Sequence, residues 1–162
     1  MRWIRFTADD VTQFGIVEGE NVAAVTGDPF SGYERSGETH ALDSVRLEVP
    51  VIPRTFYAAG LNYVDHIMAY AKKVGREPNI PDAADIGYRA NNALVAHGDS
   101  IVIPHDATDR VEYEAEIVAV VGKTTKNISE ADALSCLLGY TIGNDVSERS
   151  WQKSDRTLWR AK

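Results

Sequence analysis

Apolar residues fall into short runs over the first fifty positions, and polar or glycine-containing pairs separate these runs. Three such runs are residues 2–6, 12–17 and 21–25. Runs of this length between turn residues are typical of strands. The polar, Gly- and Ser-containing stretch 31–43 predicts a loop or linker. Since proline has no amide hydrogen to give to a sheet, Pro50 and Pro53 predict a boundary here. The pattern therefore predicts a small β-rich subdomain over residues 1–50 and a second domain over residues 51–162.

The rest of the chain mixes strand patterns with two short helical patterns. The predicted strands are residues 55–59, 101–103, 111–121 and 140–145. Apolar residues at helical spacing predict a helix over residues 64–74. Ser129 with an acidic residue three positions later predicts an N-cap and a second helix through Leu138, ended by Gly139. Because strands and helices do not alternate regularly, we expect a strand-dominated α+β fold rather than a doubly wound one.

Composition narrows the possible partners and the compartment. The chain has 162 residues and a formal net charge of −7, and its single cysteine, Cys136, excludes an internal disulfide. One cysteine favours a reducing compartment, so we expect a cytoplasmic protein. The acidic balance argues against nucleic acid as a partner. No apolar stretch approaches the ~20 residues that a membrane helix needs, so we expect no membrane partner either.

The predicted strand over residues 111–121 carries three glutamates on one face. Side chains alternate along a strand, so Glu112, Glu114 and Glu116 share a face that becomes apolar at Val118 and Val120. Carboxylates at the mouth of a buried face suit a hard cation such as Mg²⁺, Mn²⁺ or Ca²⁺. An edge strand with a solvated acidic face explains the pattern more simply, because acidic strand faces are common. The strand alone leaves both interpretations open.

Other polar residues at the ends of elements are candidates with ordinary structural explanations. Asp145 lies at the end of a predicted strand, where it suits either an Asx turn or a three-carboxylate metal site. His66 lies on the predicted helix over residues 64–74, and a lone histidine there is more often structural than a general base. Cys136 is interpreted as a core residue. The chain lacks a Gly-x-Gly-x-x-Gly motif, a phosphate loop, a nucleophile elbow and a Cys-x-x-Cys pair, which argues against nucleotide-dependent, serine-hydrolase and zinc chemistry.

Four segments, taken in order along the chain, resemble the fumarylacetoacetate hydrolase family. They are AGLNY at 59–63 with His66, VEYEAEI at 111–117, GYTIGNDVSER at 139–149, and WQ at 151–152 with the closing Lys162. Order and spacing together are far more specific than any single motif. The resemblance covers roughly residues 50–162. It implies a mixed β-roll whose strand-rich core holds a metal, usually in a homodimer.

The resemblance also implies a role for each matching residue. The implied ligands of Mg²⁺ or Mn²⁺ are Glu114, Glu116 and Asp145. Glu112 matches an acidic position that is not expected to bind the metal. His66 matches the general base that acts on water, and Lys162 matches a catalytic residue that contacts substrate oxygen. Gln152 and Arg149 match substrate-binding positions.

The chain departs from the family pattern at two places. Many C–C hydrolases of the family have a glutamate three residues after the histidine, where this chain has Ala69. His66 then lacks its usual acidic partner, unless Glu77 or another loop acid replaces it. Family members also continue beyond the position of Lys162, so we expect a C-terminally truncated domain. A non-catalytic remnant or a binding module is therefore a further interpretation.

The leading functional hypothesis is a metal-dependent hydrolase that acts on a small 2-oxo acid. It would cleave a C–C bond in an acylpyruvate- or fumarylpyruvate-like 2,4-dioxo acid through a metal-stabilised enolate. The alternative within the same family is a decarboxylase or isomerase of an oxo-dioic acid in aromatic catabolism. Such reactions need no attacking water, so Ala69 favours this alternative.

Overall fold

The computed structural model describes residues 1–155 and 160–162. The chain divides into two units, one made of residues 1–52 with 94–162 and the other of residues 53–93. Strands outnumber helices over the described residues taken together, so the predicted strand-rich α+β class is confirmed. None of the helices formed by the described residues is long and apolar enough to cross a membrane.

The first part of the chain forms a five-stranded sheet with the order β4-β3-β2-β1-β5, antiparallel throughout. Its strands are β1 (Trp3–Ala8), β2 (Val11–Glu18), β3 (Asn21–Asp28), β4 (Gly32–Ala41) and β5 (Arg46–Leu47). Phe6, Val22 and Ala24 form its buried core. A Cβ atom on Gly15 would lie 2.5 Å from Val22 Cγ2, so this close packing requires glycine at residue 15.

The prediction of a loop over residues 31–43 is wrong, because most of this stretch is β4. The side chains of β4 are nearly all exposed, so they carry no apolar alternation that would indicate a strand. Its backbone pairs with β3 at the edge of the sheet, with a register shift opposite Ala23 and Val25. Gly37, with φ of 87°, lies at this irregularity. Backbone pairing rather than side-chain burial therefore defines this strand.

Residues 53–93 form a two-stranded sheet, one α-helix and a short 3-10 helix at Asn91–Ala93. The strands β6 (Phe56–Gly60) and β7 (Asp85–Arg89) pair antiparallel, and α1 spans Val64–Val74. The predicted helix is confirmed at both ends. Gly75, with φ of 66°, ends it by donating its N–H to the carbonyls of Ala71 and Lys72. The strand predicted at residues 55–59 is also confirmed, and its Tyr57 is exposed.

The later part of the first unit contains two further strand pairs. They are β8 (Val111–Glu112) with β11 (Ser147–Glu148), and β9 (Ala115–Val121) with β10 (Leu137–Asn144). The continuous strand predicted over residues 111–121 is therefore divided at residues 113–114. At this break the Glu114 N–H donates to Asn144 Oδ1 at 3.0 Å, and the Asp145 N–H donates to the Glu114 carbonyl at 2.9 Å. The division arises because the two halves pair with different strands.

Two shorter elements also differ from the prediction. Residues 101–103 are exposed and form no strand with the part of the chain that the structure describes. Ser129 does cap a helix by accepting the Asp132 N–H, but this is a 3-10 helix that ends at Cys136. Leu137 already belongs to β10, and Gly139 lies within that strand. Pairing with β9 therefore ends the helix earlier than the local sequence indicates. Cys136 is buried, as expected.

Candidate metal centre

Three carboxylates lie together where the break between β8 and β9 meets the end of β10. Glu114 lies in the break, Glu116 is on β9 opposite Gly143, and Asp145 follows β10 directly. One ligand oxygen from each residue lies within 4.8 Å of the other two. Oxygens that bind one ion at roughly 2.0–2.6 Å lie no more than about 5 Å apart. The arrangement therefore fits a single cation, and an all-oxygen donor set favours a hard one.

Lys162 contacts two of these carboxylates. Its Nζ donates to Glu114 Oε2 at 2.6 Å and to Asp145 Oδ2 at 2.8 Å. The Lys162 side chain is only 4% exposed. A nearly buried ammonium requires this close anionic partnership, because removing its charge from water is costly. The lysine therefore balances part of the negative charge of the cluster.

Arg149, the first residue of α2 (Arg149–Ser154), contacts the other side of Glu114. Its Nη1 donates to Glu114 Oε1 at 2.5 Å and to Gln152 Oε1 at 3.0 Å, and its Nε donates to Glu112 Oε2 at 2.9 Å. The guanidinium thus binds three protein groups at once. Arg149 and Lys162 together contact both oxygens of Glu114 and so define the orientation of its carboxylate.

The electrostatic setting keeps Glu114 ionised. Burial raises the pKa of this carboxyl, but the hydrogen bonds from Lys162 and Arg149 lower it by more, so the pKa lies below its ordinary value. The pKa of Glu112 is lowered chiefly by its hydrogen bond from Arg149. Burial acts to lower the pKa of Arg149, and its bonds to the two glutamates raise it above the ordinary value. Glu114 is therefore charged at neutral pH, as cation binding requires of a ligand.

Two residues that support the cluster were missed by the sequence analysis. Asn144 closes the strand break through its side-chain amide. Glu148 is buried, and its carboxylate accepts the Trp151 N–H at 2.5 Å and the Thr108 hydroxyl. Glu148 thereby caps α2, the helix that presents Arg149. An acidic residue just before a short polar helix is a local signal for the cap, whereas nothing local indicates the contact of Asn144.

The predicted general base lies in the other unit. His66 is on α1, within residues 53–93, and its side chain is exposed. Ala69 lies on the same helix, and Glu77 follows the helix and is exposed. The catalytic role of His66 stays a prediction. So do the substrate-binding roles of Gln152 and Arg149, whose side chains the structure places beside each other.

Comparisons with known proteins find matches to both the N-terminal part and the remainder of the chain. The family model described as "Fumarylacetoacetate (FAA) hydrolase C-terminal" matches residues 55–162, and one described as "Rv2993c-like, N-terminal" matches residues 1–50. Protein Rv2993c of Mycobacterium tuberculosis is 34% identical over 100% of this chain and 61% of its own length. The mitochondrial oxaloacetate tautomerase fahd2 of Xenopus laevis is 36% identical over 72% of this chain and 35% of its own length. The chain thus spans less than two thirds of these curated relatives.

A solved structure extends the comparison to the fold. The structure of 5-carboxymethyl-2-hydroxymuconate delta-isomerase from Mycobacterium smegmatis is 32% identical, with a TM-score of 0.85. It covers 100% of this chain and 61% of the isomerase chain. The strand-rich architecture described above, including the N-terminal sheet, is therefore similar to that of the solved isomerase over this part of its length.

Proposed function

This chain belongs to the fumarylacetoacetate hydrolase family, and we propose that it is a divalent-metal-dependent enzyme acting on a small 2-oxo acid. The observation that carries the proposal is the group of three carboxylates within 4.8 Å, contacted by the nearly buried Lys162. A solvated acidic face would need no such buried counter-charge. The matching of residues 55–162 to the family model supports the same conclusion.

Each residue of the cluster has a proposed task. The carboxylates of Glu114, Glu116 and Asp145 would hold Mg²⁺ or Mn²⁺. When bound, this cation would act as a Lewis acid that offsets negative charge developing on the substrate. Lys162 uses two of its three N–H donors on Glu114 and Asp145. We assign the third donor to a substrate oxygen, where it would stabilise an enolate.

We place reactions that need no attacking water first: tautomerisation, double-bond isomerisation or decarboxylation of an oxo-dioic acid. Ala69 supports this order, because it leaves His66 without the acidic partner that orients a base toward water. The names of the related tautomerase and isomerase support it too. Hydrolysis of an acylpyruvate-like C–C bond is the second candidate, favoured by the exposed His66 on α1.

Turnover assays with the full chain test both candidates. We expect Mg²⁺ or Mn²⁺, but not EDTA, to support conversion of enol-oxaloacetate or a hydroxymuconate-type dioic acid. Glu116→Gln should reduce this rate by more than about 100-fold, as loss of a metal ligand would. The exposed Glu20 gives a control, and Glu20→Gln should leave the rate unchanged.

The variant His66→Ala distinguishes the two candidate reactions. Hydrolysis of acylpyruvate should be lost in this variant, whereas isomerisation through another base should persist. Equal rates with metal and with EDTA would contradict the proposal. Failure of the chain to bind Mn²⁺ would favour the remnant or binding-module interpretation instead. A homodimer and a cytoplasmic location stay predictions, and the molar mass in solution tests the first.

A further inference from the structure

We propose that Glu112 is a positioning residue, which holds Arg149 so that Arg149 orients the carboxylate of Glu114 for the cation. The resemblance to the family leaves Glu112 without a role, and the hydrogen bonds around it supply one. The inference rests on the proposed function, because it concerns the affinity of the carboxylate cluster for a divalent ion.

The pairing of two strands fixes the position of Glu112 relative to Arg149. Glu112 is on β8 opposite Ser147 of β11, and α2 begins directly after β11. The backbone N–H of Arg149 donates to the Arg110 carbonyl at 3.0 Å, and that of Asp145 donates to the Glu114 carbonyl at 2.9 Å. The backbone is therefore hydrogen-bonded on both sides of Glu112. Within this frame Glu112 Oε2 accepts the Arg149 Nε–H at 2.9 Å.

The guanidinium of Arg149 is rigid. Its planar group fixes the direction of Nη1 once Nε is held. Nη1 then donates to Glu114 Oε1 at 2.5 Å and to Gln152 Oε1 at 3.0 Å. Because Lys162 holds the other oxygen of Glu114 at 2.6 Å, the plane of this carboxylate is determined by two cations. Glu112 therefore positions Arg149, one of the two cationic residues that hold the carboxylate of the candidate metal ligand Glu114.

The exposure of the Glu112–Arg149 pair indicates that Glu112 affects cation binding more than folding. The side chain of Glu112 is 49% exposed, and that of Arg149 is 21% exposed. Half-exposed ion pairs contribute little to stability because water screens them. Partners that orient a ligand nevertheless change metal affinity strongly. We therefore expect a change at Glu112 to weaken cation binding while leaving the fold intact.

Calorimetric titration of Mn²⁺ into the full chain tests the inference. We expect Glu112→Gln to weaken Mn²⁺ binding about tenfold, within the range known for residues that orient ligands. The Glu18–Arg35 pair, at 2.5 Å and exposed on both sides, is a matched control. Glu18→Gln should leave the affinity unchanged. Arg149→Lys, which keeps the charge but lacks the fork, should weaken binding as Glu112→Gln does.

A double-variant cycle separates positioning from simple charge. If Glu112 acts through Arg149, then Glu112→Gln should change the affinity by less than about twofold once Arg149→Met is present. If the charge of Glu112 merely attracts the cation, its effect persists beside Arg149→Met and falls as KCl is added. That second result would overturn the inference.

The titration also distinguishes a failure of the positioning role of Glu112 from a failure of the proposed metal dependence. If the wild-type chain binds one Mn²⁺ and Glu112→Gln binds it equally tightly, the proposed function stands and the positioning role alone is wrong. If the wild-type chain binds no Mn²⁺, the proposed metal dependence is wrong and the role of Glu112 falls with it. Arg149→Lys keeps the inference testable should Arg149→Met fail to fold.

Discussion

Lys162 stabilises the carboxylate cluster by contacting oxygens that a bound cation would also contact. Its ammonium lies within 2.8 Å of oxygens on Glu114 and Asp145, and its side chain is 4% exposed. Without a metal ion, this charge offsets repulsion between the carboxylates. With a divalent ion bound, two positive groups share the same oxygens and repel each other. The lysine should therefore stabilise the metal-free protein and weaken metal binding.

Replacing this lysine by methionine tests the balance. In EDTA we expect Lys162→Met to lower the free energy of unfolding by about 2–3 kcal/mol, because two partly buried carboxylates lose a partner while Glu114 keeps Arg149. Urea unfolding with and without saturating Mn²⁺ is the measurement. Mn²⁺ should stabilise the variant more than the wild type.

An exposed lysine on α2 provides the control for this change. Lys153→Met should alter neither the stability nor the gain from Mn²⁺. A larger Mn²⁺ gain in the wild type than in Lys162→Met would show that the lysine assists cation binding rather than opposing it.

At the scale of single elements, the sequence predicted what depends on local signals. The helix α1 was predictable because its apolar spacing and the glycine that ends it are adjacent in the chain. The edge strand β4 was not, because its exposed side chains carry no periodicity. The break at residues 113–114 depends on distant partners, because Glu112 pairs with Ser147, 35 positions away, and Ala115 pairs with Asn144, 29 positions away. No local pattern records this.

In the candidate site, too, some features could be predicted from the sequence and others could not. The three carboxylates that the resemblance grouped do lie within 4.8 Å of one another, although their role as ligands stays a prediction. The contacts of Lys162 with Glu114, and of Arg149 with Glu112, join residues 48 and 37 positions apart. Such contacts follow from strand pairing and helix placement. Spacing in the sequence could not have predicted them.

The cap of α2 has a pH dependence that belongs to this scale. Burial raises the pKa of Glu148, but the hydrogen bonds from Thr108 and the N–H of Trp151 lower it by more than burial raises it. The pKa of Glu148 therefore lies below the ordinary 4.5. A carboxyl whose pKa is depressed on folding stabilises the fold above its unfolded pKa. That contribution is lost as the pH falls through the folded value.

Glu148→Gln should remove this pH-dependent contribution. At neutral pH we expect the variant to unfold about 2–5 °C below the wild type, since the neutral amide cannot accept all the hydrogen bonds that the carboxylate accepts. The difference should shrink as the pH falls below the ordinary value of 4.5. Thermal unfolding across this range measures it, with Glu20→Gln as the exposed control. A difference that is constant with pH would contradict the assignment.

Across the whole molecule, burial is distributed unevenly between the two units. The N-terminal sheet has a core of Phe6, Val22 and Ala24. Among residues 53–93, all of which the structure describes, only Ile67 and Ala71 are buried. Segments with few buried apolar contacts open at lower free energy than well-packed ones. Stability should therefore differ along the chain, and a cation should add to it only near the carboxylates.

Hydrogen exchange read by mass spectrometry tests this distribution. We expect amides of β6 and β7 to exchange at least about tenfold faster than those of β1, β2 and β3, because their sheet covers little apolar surface. Saturating Mn²⁺ should slow exchange in β8 to β11, where the N–H groups of Glu114 and Asp145 close the strand break. A ligand that binds only the folded site stabilises the segments that form it.

The variant Glu116→Gln separates cation binding at the cluster from general effects of Mn²⁺. It removes one of the three carboxylates, so Mn²⁺ should no longer slow exchange in β8 to β11 of this variant. The N-terminal sheet should exchange alike in both proteins, with or without the ion. If Mn²⁺ instead slowed exchange equally in β1, β2 and β3, opening would be global, and the chain would unfold as one cooperative body despite its uneven core.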